Sequence, residues 1–156
     1  KKIEVLIHPQ SIIHSLVEFV DGSSLTQLGI PDMKVPISYA LSYPERITSG
    51  VFGIDLALSE DLQFEVPDLE KFKCLKLAYS CLEQGGSYPI EINAINEVAV
   101  EAFLASQLKF TQISELIESG LTNAKNSNIN NIEDILEVDK QARIKAKNLL
   151  KGMQFA

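Results

Sequence analysis

The hydrophobic period of this chain changes at Pro67, and no other sequence feature constrains the fold more strongly. Beyond Pro67 apolar residues recur at helical spacing in four stretches, whereas before it the apolar runs are short and strand-like. Four helices with short connections within residues 68–156 predict an antiparallel bundle. The β-rich residues before them are too few to enclose a core. The pattern therefore predicts an α+β chain, a β remnant followed by a four-helix bundle.

The ends of the predicted helices carry residues that favour those positions. Asp68 is suited to cap a first helix that follows it directly, and Gly85 to end that helix in the left-handed conformation. Pro89 suits the first turn of a second helix. Thr111 is expected to cap a third helix and Asn131 to begin the last.

The front of the chain predicts strands. The run from Ile3 to Ile7 is almost continuously apolar, as in a strand buried on both faces. Asp21-Gly22 lies between two strand-like runs and predicts a hairpin. Strict alternation along the first hairpin strand would place His14 and Ser15 on opposite faces. A short helix ended by Pro44 is expected next, and residues 47–67 lose any period and are interpreted as a connector.

Charge and composition exclude several classes of protein. The net charge of −7 comes with scattered lysines, so no basic stripe is present and nucleic acid is not an expected partner. No apolar run reaches the roughly 18–20 residues of a membrane span, and we expect a cytoplasmic protein. Cys74 and Cys81 lie seven residues apart in a helical pattern, too far for a disulfide, and are interpreted as two reduced core thiols.

The stretch HPQSIIHS holds both histidines of the chain, His8 and His14. Ser11 or Ser15 with His14 is the only candidate pair of nucleophile and base, and strand alternation argues against it. A hydrogen-bonded core histidine is the more common role of such a residue. Met33, after Pro-Asp, is typical of a gap-filling core side chain, although a methionine can also wall an apolar ligand pocket. The residues alone leave these alternatives open.

Three segments carry a resemblance to a known family: IHPQSIIHSLVEFVDGSSLTQLGIPDMKVPISYALSYPER, CLKLAY and NAINEVAVEAFL. Together they closely resemble the C-terminal portion of the 1-deoxy-D-xylulose 5-phosphate reductoisomerase family. The resemblance implies that the β remnant is the end of a central catalytic α/β domain, covering residues 1–46. Residues 47–67 would then be the connector and residues 68–156 the helical bundle domain.

The family reaction rearranges 1-deoxy-D-xylulose 5-phosphate and reduces the product with NADPH to 2-C-methyl-D-erythritol 4-phosphate, in non-mevalonate isoprenoid synthesis. A divalent cation, magnesium or manganese, polarises the substrate oxygens. The resemblance implies a homodimer with a small sugar phosphate substrate. It also implies that the NADPH domain and the metal ligands lie upstream, so this chain enters the family sequence partway and is expected to be inactive alone. The alternative is a non-catalytic helical interaction or dimerisation module.

Site residues follow from the resemblance position by position. His14 is implied as a catalytic and substrate-binding residue, and Ser11 as a substrate-binding one. Pro31 and Met33 resemble the wall beside the substrate, with Met33 also beside the nicotinamide. No metal ligand is implied within this chain.

His8 and Gln10 belong to the same signature without an assignable chemical step. Ile95 stands where the family commonly has alanine, which we interpret as a change in packing.

Overall fold

The computed structural model describes residues 3–59, 61–122, 124 and 126–153. The chain divides into two compact units, one ending at Pro67 and one beginning at Asp68. In chain order the elements are β1 (Ile13–Glu18), β2 (Ser24–Leu28), α1 (Lys34–Ser42), α2 (Lys73–Gln84), α3 (Tyr88–Leu104), α4 (Gln112–Leu121) and α5 (Ile132–Met153). The α+β prediction is confirmed. Among these described helices, none has the length and apolar character that crossing a membrane requires.

β1 and β2 form the predicted antiparallel hairpin. At its turn Gly22 adopts a φ of +84°, which favours glycine over any residue with a Cβ. The Asp21 carboxylate accepts hydrogen bonds from the Ser23 hydroxyl at 2.6 Å and from the Ser23 N–H at 2.9 Å. These two bonds, the hydroxyl's first, lower the pKa of Asp21. The Asp-Gly turn therefore forms as predicted, through the positive φ of Gly22 and the hydrogen bonds between Asp21 and Ser23.

The predicted strand from Ile3 to Ile7 is wrong. Of these residues only Ile7 pairs with another segment, through a bridge in which it exchanges two 2.9 Å backbone hydrogen bonds with Glu65. Ile3 and Leu6 are 60% and 52% exposed instead of buried on both faces. An apolar run becomes a strand only where a neighbouring backbone satisfies its N–H and C=O groups, and periodicity does not supply that neighbour.

Two expectations for the first bundle helix need correction. Asp68 accepts the N–H groups of Glu70 and Lys71 and so caps a separate turn, because Phe72 leaves helical geometry at φ −99° and ψ +64° before α2 begins. Only Cys81 of the two thiols is in the core, whereas Cys74 is exposed. Desolvation raises the pKa of both thiols.

The helical unit contains the core of the chain. α3 packs against α2, α4 and α5, and its small residues allow this close approach. Gly85 ends α2 as predicted and donates its N–H to the Cys81 carbonyl, but at φ +64° and ψ −155° it lies in another region that favours glycine, not in the expected left-handed helical one. The buried apolar residues are Cys81, Ala94, Ile95, Val98, Ala99, Ala102, Leu108, Ile113, Leu116, Ile117, Ala142 and Ala146. Ala105, by contrast, caps the end of α3 and is exposed.

The NAINE stretch joins α3 to α5. Asn93 donates a 3.0 Å hydrogen bond to the Glu97 carboxylate one turn later. Glu97 pairs with Arg143 of α5 at 2.6 Å, and Arg143 also pairs with Asp139 at 2.7 Å. The hydrogen bonds that Glu97 accepts from Arg143 and, second, from Asn93 lower its pKa. The motif is therefore a helix-packing element.

Candidate substrate-binding site

The candidate site is built on a tight turn. Pro9 and Gln10 form its corner, and the Ser11 N–H donates a 3.0 Å hydrogen bond back to the His8 carbonyl. Ser11 leaves the turn with a φ of +51°, a left-handed conformation that non-glycine residues rarely adopt. Such a conformation persists where surrounding contacts fix it. Ser11 itself is exposed.

His14 occupies a β-bulge. Ile13 pairs with Leu28 and Ser15 with Gln27, so β1 advances two residues while β2 advances one, and His14 is the extra residue. The bulge breaks the strict alternation expected along β1. Since a bulge redirects the side chains around it, the opposite-face argument does not hold at His14 and Ser15.

In the structure Ser15 and His14 each hydrogen-bond to another residue rather than to each other. The Ser15 hydroxyl donates to Gln27 Oε1 at 3.3 Å. Nδ1 of His14 lies 3.1 Å from the Ile12 carbonyl, which can only accept, so this nitrogen carries the proton. The His14 ring is exposed, and its Nε2 is open to solvent. His14 is therefore a surface residue and not the hydrogen-bonded core histidine that is the more common role of such a residue.

Residues 61–65 run beside the turn. His8 stacks on Phe64 with ring centroids 4.7 Å apart, and its Nδ1 lies 2.7 Å from the Gln63 carbonyl. The Gln10 side-chain amide donates to the Asp61 carbonyl at 2.9 Å and accepts the Gln63 N–H at 3.3 Å. His8 and Gln10, for which the resemblance implies no chemical step, thus contact a segment more than 50 residues away in the chain.

A cavity of about 770 Å³ lies against β1. Both histidines line it, together with Ser15, Glu18 and Phe64, and the remaining walls come from residues 4–6 and from β1. Ser11, Pro31 and Met33 do not line it. The β unit by itself therefore brings His14 to an open cavity without assembling the four implied site residues around it.

Pro31 and Met33 lie at the start of α1. Asp32, between them, accepts the Lys34 N–H at 2.8 Å. Met33 is 69% exposed, so the gap-filling core interpretation is wrong and its thioether is open to contact. A second, mostly apolar cavity of about 370 Å³ is lined by residues that flank Pro31 and Met33 in sequence, but not by these two. Its walls are Leu28, Gly29, Ile30, Val35, Val51, Phe52, Gly53, Ile54 and Leu56.

Within the described ranges, no group of three or more His, Cys, Asp or Glu side chains lies close enough together to hold a metal ion. No step is therefore assigned to a metal held by the described residues. Sequence reasoning missed the contacts of His8 and Gln10. Pro9 between them lacks an N–H, which indicates that backbone pairing weakens there but does not indicate which residues lie opposite.

The architecture and the site define a class: a hairpin unit that presents a histidine and a serine turn, followed by a helical bundle, as in the carboxy-terminal part of a reductoisomerase. Residues 28–145 match the family model for the DXP reductoisomerase C-terminal domain. The chain belongs to the 1-deoxy-D-xylulose 5-phosphate reductoisomerase family.

Relatives and solved structures agree with this membership. The 1-deoxy-D-xylulose 5-phosphate reductoisomerase of Nitrosomonas eutropha is 51% identical over 150 residues, which are 96% of this chain and 36% of that relative. The Zymomonas mobilis enzyme, solved in complex with NADPH, superposes with a TM-score of 0.81 at 40% identity, covering 94% of this chain and 39% of that one.

A further reductoisomerase structure, in complex with NADPH, fosmidomycin and magnesium, superposes with a TM-score of 0.80 at 44% identity. It covers 96% of this chain and 39% of that one. This chain thus spans between about a third and two fifths of the length of its relatives.

Proposed function

We propose that this chain is the C-terminal portion of an enzyme that converts 1-deoxy-D-xylulose 5-phosphate to 2-C-methyl-D-erythritol 4-phosphate in non-mevalonate isoprenoid synthesis. The supporting observation is the 51% identity, over 96% of the chain, to a reductoisomerase of that name. Solved relatives hold NADPH and magnesium. In the whole enzyme NADPH would supply the hydride and a divalent cation would polarise the substrate oxygens.

His14 is the proposed catalytic residue of this chain. Its Nδ1–H is committed to the Ile12 carbonyl, which fixes the ring and leaves Nε2 to accept a hydrogen bond from a substrate hydroxyl. In the protonated ring the same atom would donate to a substrate oxygen. Ser11 would offer its hydroxyl to the substrate from the turn. Pro31 and the exposed Met33 would form an apolar wall beside the substrate, with Met33 also beside the nicotinamide.

A chimera tests the proposed function. The aligned segment of the Nitrosomonas eutropha enzyme would be replaced by this chain, and NADPH oxidation would be followed with 1-deoxy-D-xylulose 5-phosphate and magnesium. Substrate-dependent oxidation is expected, and a matched chimera carrying His14→Ala should lose most of it. A chimera with normal circular dichroism and normal NADPH binding, yet without substrate-dependent oxidation, would count against the proposal.

We also propose that the 156-residue chain is inactive alone, since it spans 36% of the length of a reductoisomerase relative and the family resemblance places the NADPH domain and the metal ligands outside it. Measurable NADPH oxidation by the purified chain with substrate and magnesium would refute this.

The whole enzyme is proposed to be a homodimer. The hairpin consists of two strands, and Leu16, Val17 and Leu25 on it are about half exposed or more, so it offers open edges and apolar surface for association. The same surface would serve the alternative, a non-catalytic interaction module. Sedimentation of the chain tests association, and a strictly monomeric chain at high concentration would contradict it. An active chimera would separate the enzyme from the module.

A further inference from the structure

Pro9 interrupts the backbone pairing between the turn and residues 61–65. Ile7 and Glu65 exchange two backbone hydrogen bonds of 2.9 Å, as neighbours in an antiparallel ladder do. Two residues later the ladder reaches Pro9, which has no N–H to donate. Backbone pairing therefore cannot continue past this point in the usual way.

Side chains take over where the backbone cannot pair. His8 Nδ1 lies 2.7 Å from the Gln63 carbonyl, and Gln10 Oε1 accepts the Gln63 N–H at 3.3 Å, so both backbone polar groups of Gln63 are satisfied by the turn. The other end of the Gln10 amide donates to the Asp61 carbonyl at 2.9 Å. The Gln10 amide thus pairs with residues 61 and 63 much as a peptide group of a strand would.

The geometry of His8 fixes its tautomer. The Gln63 carbonyl only accepts, so the proton lies on Nδ1. Nε2 is buried, and no described residue hydrogen-bonds to it. His8 therefore stacks on Phe64 and donates from Nδ1 to the backbone of Gln63.

We propose that His8 and Gln10 are positioning residues, whose side chains fasten the turn to residues 61–63 and so hold Ser11 in its left-handed conformation. Ser11 follows Gln10 directly, and its N–H donates to the His8 carbonyl, so the two fastened residues flank the turn that sets the Ser11 backbone. This inference rests on the proposed function, in which the Ser11 hydroxyl contacts the substrate.

The kinetic test uses the full-length enzyme. Gln10→Met keeps the length of the side chain but removes both hydrogen bonds of the amide. KM for 1-deoxy-D-xylulose 5-phosphate should rise about fivefold, the effect of losing the one hydrogen bond between Ser11 and the substrate. KM for NADPH should stay unchanged. Because Gln10 acts through Ser11, adding Gln10→Met to a Ser11→Ala enzyme should change KM less than about twofold. Equal effects in both backgrounds would overturn the proposal.

A matched pair of variants tests His8. In His8→Asn the side-chain NH₂ can take the place of Nδ1 and donate to the Gln63 carbonyl, whereas in His8→Gln the longer side chain brings its NH₂ nearer the place of Nε2. Both lose the stacking on Phe64. KM for the substrate should be closer to normal in His8→Asn than in His8→Gln, and equal values in the two variants would contradict the role of Nδ1.

Amide hydrogen exchange separates failure of this inference from failure of the proposed function. Gln10→Met should speed exchange of the Gln63 N–H and of the Ser11 N–H, whatever reaction the enzyme catalyses. If the parent enzyme shows no substrate-dependent NADPH oxidation, the proposed function fails. The exchange rates alone then test whether Gln10 holds the turn. Unchanged exchange at both amides would then overturn the positioning role, and faster exchange would support it.

Discussion

Single residues at the site depart from the regular geometry around them. Ser11 is left-handed at φ +51° and His14 is the extra residue of a β-bulge. The bulge directs the His14 side chain away from the alternation of a plain strand. Residues in uncommon geometry cluster at functional sites, and here they coincide with the two polar positions that the family resemblance implies.

His14→Ala in the full-length enzyme should lower kcat/KM about 10- to 100-fold, the effect of losing a hydrogen bond to a charged group. The melting temperature should change little because the His14 ring is exposed and hydrogen-bonds to the nearby Ile12 carbonyl. Steady-state kinetics and thermal melts would check this. Ser15→Ala is the control, since its hydroxyl bonds to Gln27, and it should remain active. Unchanged kinetics in His14→Ala would leave it a structural residue.

The local geometry of some of these residues could be predicted from the sequence, and that of others could not. The Asp21-Gly22 turn follows from local turn chemistry and forms as expected. The bulge at His14 was not predictable, because it depends on how many residues of β2 lie opposite β1. The partners of Gln10 lie 51 residues or more along the chain and were equally out of reach. The implied roles of Ser11, His14, Pro31 and Met33 came from the resemblance and stay predictions.

At the scale of elements, α3 and α4 meet at a glycine. A Cβ at Gly120 would lie 2.8 Å from Cδ1 and 3.2 Å from Cγ2 of Ile95, a side chain that is fully buried and cannot easily move. Gly120→Ala should therefore destabilise the chain by about 1 kcal/mol, because overpacking outweighs the gain in helix propensity. Gly152→Ala, where a Cβ meets nothing within 4 Å, should be neutral or slightly stabilising.

Chemical denaturation of the two glycine variants would measure the difference. Equal stability of Gly120→Ala and Gly152→Ala would show that α3 and α4 are not in close contact at Ile95.

The ion pair between α3 and α5 predicts a dependence on pH. Since the Arg143 and Asn93 hydrogen bonds lower the pKa of Glu97 from its ordinary 4.5, its contribution to stability is complete above about pH 4.5 and is lost as the pH falls through the lowered pKa. Glu97→Gln should thus melt below the parent at pH 7, and this difference should shrink in acid. The exposed pair makes the effect small and sensitive to salt.

Glu101→Gln is the control for the ion pair, one turn further along α3 and without an ion pair to any described residue. It should melt with the parent at pH 7 and throughout the acid titration. A melting difference for Glu97→Gln that does not shrink anywhere between pH 7 and the acid limit of the native fold would contradict the role of the charge.

At the scale of the whole molecule, the two units differ in how they are stabilised. The helical unit encloses all the buried apolar residues of the described chain. In the β unit no described residue is buried, and large side chains such as Phe52 and Val20 are mostly or fully exposed. The sequence predicted a β remnant too small for a core, and this part of the prediction followed from chain length alone.

The contrast predicts that residues 68–156 fold alone and that residues 1–67 do not. Buried side chains such as Ile95 and Leu116 each contribute roughly 1.5–3 kcal/mol, and these lie in the helical unit. Circular dichroism should show a cooperative thermal transition for residues 68–156, and for residues 1–67 a gradual change without a midpoint. A sharp transition for residues 1–67 would mean that the hairpin, the turn and residues 61–65 stabilise one another without a core. In that case the hydrogen bonds of His8 and Gln10 would be the first interactions to remove, and Gln10→Met should abolish that transition.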